Sequence, residues 1–89
     1  MAEKQIEKCY REKVEEDGGI AYKFVSPGRR GVPDRLALRP VASQHRMIVA
    51  QYVRFAELKT PEGTIAPWQD REISRLRSMG YLVEVIDEI

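Results

Sequence analysis

The chain has 89 residues, which fits one domain with a modest core, and pairing with a second copy would add stability at this size. Fifteen lysines and arginines against fourteen aspartates and glutamates leave a formal net charge of +1, so bulk charge does not indicate a nucleic-acid partner. The single cysteine, Cys9, excludes an internal disulfide and fits a reducing, cytoplasmic environment. No apolar run approaches the roughly 20 residues of a membrane span, and the charged N-terminus lacks a signal peptide's apolar stretch. We therefore expect a cytoplasmic protein without a membrane partner.

Residues 2–17 have the apolar spacing of an amphipathic helix. Ile6, Tyr10 and Val14 recur every four residues, which places them on one face of a helix. Gly18-Gly19 follows and ends the helical pattern. We predict a first helix over residues 2–17 that buries this apolar stripe.

Two glutamates of this helix differ in where they lie around its axis. At 100° per residue, Glu3 lies about 60° from Ile6, inside the apolar stripe, whereas Glu7 lies about 100° away, at the polar border. An acid inside the stripe either serves a site or points to water past the edge of the core, where a first-turn glutamate favours the helix dipole. Both interpretations stay open for Glu3, and Glu7 is expected to be solvated.

Basic residues concentrate around the loop that follows the first predicted strand. That strand covers residues 20–26, and the loop covers residues 26–33, with glycine and proline typical of turns. Arg29 and Arg30 offer forked donors suited to phosphate oxygens, although a pair of arginines in a loop is more often only solvated surface. The candidate phosphate-contact residues are Lys23, Arg29, Arg30 and Arg35.

The middle of the chain is predicted to form a hairpin of two longer strands. Residues 34–41 alternate and predict the second strand, residues 42–46 predict its polar turn, and residues 47–59 predict the third strand. Antiparallel pairing would place the start of the second strand beside the end of the third. We therefore expect Asp34 and Glu57 to approach each other.

The C-terminal third is predicted to form a helix and a strand. Residues 67–79 have the spacing of a helix that buries Trp68 and Ile73. Residues 81–86 form a last strand, which a helical crossover makes parallel to the third. The order αβββαβ predicts a single α/β (α+β) domain over residues 1–89, with a helix on each face of a four-stranded mixed sheet.

The end of the third predicted strand places an acid and a base on one face. Glu57 and Lys59 lie two residues apart, and an isolated pair of this kind is more often only solvated surface. Beside Asp34, however, Glu57 would form a carboxylate pair that needs a cation, and Mg²⁺ or Mn²⁺ suits such oxygen ligands. The Leu58 carbonyl would be a further ligand. Lys59 would orient a water molecule or neutralise charge that develops on a phosphate.

Two further polar residues are candidates for the same site. Gln69 lies in the first turn of the predicted C-terminal helix and could hydrogen-bond near the site, although a glutamine there is more often only exposed. Glu3 could bind the metal through a water molecule. Both are kept as candidate catalytic residues.

In this order of elements, the chain resembles the PD-(D/E)xK nuclease superfamily. Within that superfamily it is similar to the stand-alone, phage-type VRR-NUC domain, and the resemblance covers nearly the whole chain. The motifs that support it are Gly19-x-x-Tyr22-Lys23, Gly31-Val32-Pro33-Asp34 and Glu57-Leu58-Lys59-Thr60, followed by Gly63, Gln69 and Gly80. Together they are far more specific than Glu-x-Lys alone.

The resemblance implies an endonuclease that needs Mg²⁺ or Mn²⁺ and cuts branched or structured DNA, with minimal members similar to homodimeric Holliday junction resolvases. Asp34, Glu57 and Lys59 match the catalytic positions of the family, and Glu3 matches its helix-one acid better than Glu7 does. Lys23 matches a basic position of the family and would contact DNA. A restriction-endonuclease-like fold is implied as well. The alternative is a non-catalytic nucleic-acid-binding or assembly subunit with the same fold, which the acids facing phosphates disfavour.

Overall fold

The computed structural model describes residues 1–88, and the chain divides into two compact units, Met1–Pro40 and Val41–Ile89. We call them the N-terminal unit and the C-terminal unit. Each contains helix and a two-stranded sheet, so the predicted mixed α+β class is confirmed. The predicted four-stranded sheet is not found, because the four strands within residues 1–88 form two separate pairs.

The N-terminal unit consists of one helix and a β-hairpin. Its elements are α1 (Glu3–Glu16), β1 (Ile20–Lys23) and β2 (Arg35–Leu38). The strands are antiparallel, and Ile20 lies opposite Leu38. Gly19 must be a glycine, because a Cβ there would collide with the carbonyl oxygen of Leu38. The bounds of α1 confirm the predicted first helix. The chain that leaves this helix passes so close to β2 that only glycine fits at position 19.

Burial along α1 is uneven. Val14 is fully buried, whereas Ile6 and Tyr10 are exposed, so the predicted burial of the whole stripe is wrong. A helix of 14 residues is about 21 Å long, whereas a strand of four residues spans about 13 Å. Within the N-terminal unit, the short hairpin is therefore expected to cover only part of the helix, in line with the exposure of Ile6 and Tyr10.

The hairpin differs from the predicted meander. β1 ends at Lys23, and a loop of residues 24–34 leads to β2, with its ends closed by a hydrogen bond from the Phe24 N–H to the Asp34 carbonyl oxygen at 2.9 Å. Within the described residues β2 pairs with β1 alone and β3 with β4 alone, so the predicted hairpin of the second and third strands is wrong. Alternation of apolar and polar residues predicts where strands lie, but it does not predict which strands pair.

The C-terminal unit contains a parallel pair of strands and the helix that joins them. Its elements are a 3₁₀ turn (Ser43–His45), α2 (Arg46–Tyr52), β3 (Arg54–Leu58), α3 (Pro67–Ser78) and β4 (Leu82–Ile86). β3 and β4 run parallel, with Arg54 opposite Leu82, as predicted. The buried side chains of this unit are Ile73, Leu76, Met79 and Val83. They form a small core between α3 and β4.

α2 replaces the first half of the predicted third strand. Residues 47–59 were expected to be extended, but the strand begins only after Val53, which has φ −133° and ψ 124°. Arg46 Nε donates to the Val41 oxygen, which lies before the helix, at 3.1 Å, and Arg54 Nε donates to the Ala50 oxygen in the last turn of the helix at 2.9 Å. A short apolar run fits helix or strand equally well, and the bond to the Ala50 carbonyl favours the helix.

None of the helices within residues 1–88 is both long enough and apolar enough to cross a membrane.

Candidate active site

The two faces of β3 have different environments. Phe55 and Glu57 are half-buried, whereas the side chains that alternate with them are exposed. The Phe55 ring meets Tyr81 edge-on, with 5.9 Å between ring centroids, which anchors β3 next to the start of β4. The Lys59 N–H donates to the Ile86 oxygen at 3.0 Å, so strand pairing continues one residue past β3. Lys59 therefore lies on the same face as Glu57, as predicted.

Gln69 faces these two residues from the first turn of α3. Its Oε1 accepts the N–H of Ala66, the residue before the helix, at 3.1 Å. This bond is half of a capping box and satisfies one of the unpaired N–H groups at the helix start. It also fixes the amide orientation, because only the oxygen can accept a backbone N–H. The Gln69 Nε2 is thereby directed to Glu57 Oε1, at 3.0 Å.

Lys59 completes a three-residue network. Its Nζ lies 3.2 Å from Glu57 Oε1 and 3.1 Å from Gln69 Oε1. The Lys59 and Glu57 side chains are 23% and 30% exposed, so the network is half-buried yet open to solvent. An ammonium has three donors and an ionised carboxylate about four acceptor sites, so both groups keep unused capacity. We call Glu57, Lys59 and Gln69 the β3 network.

The unused capacity of the β3 network defines its chemistry. A fixed ammonium beside a carboxylate can hold a water molecule or a phosphate oxygen on one side and a cation on the other. The sequence-predicted residues Glu57, Lys59 and Gln69 are thus in mutual contact. Their catalytic roles stay predictions.

In the N-terminal unit, a second ion pair joins α1 to the hairpin. Arg35 Nε lies 3.0 Å from Glu7 Oε1, and Arg35 Nη1 donates to the Ala21 oxygen at 3.1 Å. The two side chains are only 21% and 28% exposed. Glu7 is therefore not simply solvated, contrary to expectation. Arg35 uses two of its five N–H donors inside the unit, so its predicted DNA contact would rely on the remainder.

Glu3 and Glu7 have different surroundings. Glu3 is exposed and makes no ion pair within residues 1–88, whereas Glu7 is held by Arg35. Glu3 thus keeps its carboxylate available for a ligand, and Glu7 has a structural partner.

Substitution of these two glutamates separates the roles. Glu7→Gln is expected to lower the free energy of unfolding by about 1 kcal/mol, because it removes the charge from a half-buried pair, while Glu3→Gln changes it by less than about 0.5 kcal/mol. Urea unfolding measures both. If Glu3 holds a metal through water, as the sequence predicts, Glu3→Gln is expected to cleave DNA about tenfold more slowly. Wild-type cleavage by both variants would remove α1 from the site.

The predicted basic loop is exposed. Lys23, Arg29 and Arg30 have their side chains in solvent, and the arginine pair makes no ion pair within the described residues. The Arg29 N–H donates to the Ser26 oxygen at 3.1 Å, which forms a turn at the start of the loop. Asp34, at the end of the same loop, is exposed as well. Three cationic donors and one carboxylate therefore belong to one hairpin.

The oxygen donors of the chain suit a hard cation. Within the C-terminal unit, the Glu57 carboxylate and the Leu58 carbonyl are the predicted ligands, whereas Asp34 belongs to the N-terminal unit. No group of three or more His, Cys, Asp or Glu side chains placed to bind a metal occurs in the described residues. Mg²⁺ is commonly bound by one or two carboxylates and completed by water and substrate phosphates, so this donor set fits it.

Comparison with known proteins places the chain in a family. It is 46% identical over 87 residues to a protein of Acyrthosiphon pisum secondary endosymbiont phage 1 that is named "Putative nuclease p44". The alignment covers 98% of this chain and 84% of that relative. The chain belongs to the p44 family. No family model and no solved structure matches it.

One residue near the β3 network was not among the predicted site residues. Trp68 was predicted to be buried, but 68% of it is exposed. It lies in the first turn of α3, more than one turn before the buried Ile73, and there the helix borders an open pocket instead of core. Its position directly before the candidate site residue Gln69 could have indicated that Trp68 lies near the site.

Proposed function

We propose that this member of the p44 family is a metal-dependent DNA endonuclease of the VRR-NUC type. The observation that supports this most is the β3 network, in which a carboxylate, an ammonium and an amide converge from the end of β3 and the start of α3. The nuclease name of a relative aligned over nearly the whole chain agrees with it. A structural ion pair alone would not need Gln69 to bridge both charges.

Each residue has a distinct part in the proposed reaction. Asp34, Glu57 and the Leu58 carbonyl would hold Mg²⁺ or Mn²⁺, which supplies a polarised phosphate and a more acidic bound water. Lys59 would orient the attacking water or neutralise charge on the phosphoryl oxygens. Gln69 keeps Lys59 and Glu57 in fixed positions through one hydrogen bond to each.

The DNA contacts and the assembly complete the proposal. Lys23, Arg29 and Arg30, with the remaining donors of Arg35, would contact backbone phosphates. The preferred substrate would be branched DNA such as a Holliday junction, in line with the resemblance to junction-resolving nucleases. Cutting two strands symmetrically needs two sites related by a twofold axis, which a homodimer provides.

A cleavage assay tests the proposal. We expect the purified chain to cut a labelled four-way junction with Mg²⁺ or Mn²⁺ and to leave it intact with EDTA, because the water and phosphate need a cation. Flap, splayed and linear duplex DNA of the same sequence serve as matched substrates. Paired nicks at symmetric positions of the junction would support two sites in a dimer.

If none of the four substrates is cut with either metal, the proposed endonuclease function is rejected. If anisotropy then still showed DNA binding, the alternative of a non-catalytic nucleic-acid-binding subunit would replace it.

A further inference from the structure

A pocket of about 390 Å³ opens beside the β3 network in the C-terminal unit. It shares Glu57 and Gln69 with the network, so it directly adjoins the proposed reaction site. Its buried wall is apolar and its outer edge is exposed. The apolar wall includes Phe55, Ile73, Leu76 and Val83, and the exposed edge includes Trp68 and Glu72. This volume lies within the range of small-ligand sites, about 300–1,000 Å³.

Trp68 is the feature that points to a ligand. It is the single tryptophan of the chain, and 68% of its surface is exposed although it lines the pocket. A single exposed apolar residue needs no explanation in itself. An exposed indole next to a candidate phosphate-handling site, however, is the arrangement with which proteins stack unpaired bases.

Charge selects among the parts of a nucleic acid. Lys59 neutralises Glu57, but the carboxylate of Glu72 at the exposed edge has no such partner within residues 1–88, so a phosphate would be repelled from that edge. A neutral ring with hydrogen-bond donors is favoured instead. Within residues 1–88 Glu72 makes no ion pair, and a glutamate accepts well from the amino group of cytosine.

We propose that this pocket receives an unpaired nucleobase of the DNA substrate, stacked on Trp68, from a nucleotide close to the scissile phosphate. This inference rests on the proposed nuclease function. In this proposal the apolar wall and Trp68 contact the ring of the base, and Glu72 accepts a hydrogen bond from its amino group. Lys59 contacts the scissile phosphate. The substrate class is therefore DNA with unpaired nucleotides at the cutting position, and fully paired duplex binds without filling the pocket.

Intrinsic fluorescence tests the stacking directly, because Trp68 is the single tryptophan. With EDTA present, so that no strand is cut, a duplex with one bulged cytosine is expected to quench the emission in a saturable way. The same duplex without the bulge is expected to leave the emission unchanged at concentrations where anisotropy shows that it is bound. A bulged thymine should quench with several-fold weaker affinity, because it lacks the amino group.

Variants extend the test. Trp68→Ala is expected to weaken binding of labelled bulged DNA by about tenfold and to leave duplex binding unchanged, whereas Trp68→Phe keeps most of the preference because it retains a stacking ring. Tyr52→Ala, which removes another exposed aromatic of the C-terminal unit, is the matched control and should change neither.

Three outcomes would overturn the pocket proposal: equal quenching by paired and bulged DNA, an unchanged bulge preference in Trp68→Ala, or an emission shift with protein concentration alone, which would show that a second copy covers Trp68. These readouts need no cleavage. Metal-dependent cutting without a bulge preference would therefore reject base binding in the pocket and keep the nuclease function. A bulge preference without metal-dependent cutting would reject the nuclease function and keep base binding.

Discussion

Lys59→Ala is expected to lower the rate of DNA cleavage by at least about 100-fold, because it removes the ammonium that would stabilise charge in the transition state. In the structure this ammonium is held by two contacts, to Glu57 at 3.2 Å and to Gln69 at 3.1 Å. A group fixed in advance costs no reorganisation during the reaction, so its loss should affect the rate more than the affinity. Single-turnover cleavage and DNA anisotropy measure the two quantities separately.

The control for Lys59→Ala is Lys8→Ala, which removes one positive charge from the exposed side of α1. It should cut at the wild-type rate, since a surface cation contributes only to general attraction of DNA. A Lys59→Ala protein that cuts as fast as the Lys8→Ala protein would show that Lys59 has no part in the chemistry.

The elements that depend on local periodicity could be predicted from the sequence. α1 and α3 begin and end within one residue of their predicted bounds, because apolar spacing and the flanking glycine and proline are local signals. The shared face of Glu57 and Lys59 followed from the period of two in a strand. The parallel course of β3 and β4 followed from the helix between them.

Features that depend on distant parts of the chain could not be predicted. β2 pairs with β1, and the run before β3 forms α2, next to which Arg46 and Arg54 bond backbone carbonyl groups. The Glu7 to Arg35 pair joins residues 28 positions apart. Its formation requires the register of the hairpin as well as the face of α1, and neither is a local property.

The same distinction applies to the candidate site. The β3 network joins β3 to the first turn of α3, and the sequence proposed Gln69 for it only as one of two options. The capping bond to Ala66 is what turns the amide toward Glu57. A residue that looks like a routine helix cap therefore also sets the geometry of a charged pair.

Glu57→Gln is expected to abolish cleavage with Mg²⁺, a loss of at least about 100-fold, and to weaken binding of Mn²⁺ to the free protein. Glutamine has nearly the same shape, so the contact with Gln69 at 3.0 Å can be kept by a rotated amide while the anionic ligand is lost. Calorimetric titration with Mn²⁺ reads metal binding independently of cutting. Glu16→Gln, on the exposed surface of α1, is the charge-matched control. If Asp34 binds the same ion, Asp34→Asn should also lose cleavage and Mn²⁺ affinity. Unchanged Mn²⁺ affinity in Asp34→Asn would remove Asp34 from the ligands. Unchanged Mn²⁺ affinity in Glu57→Gln would reject the β3 network as a metal site.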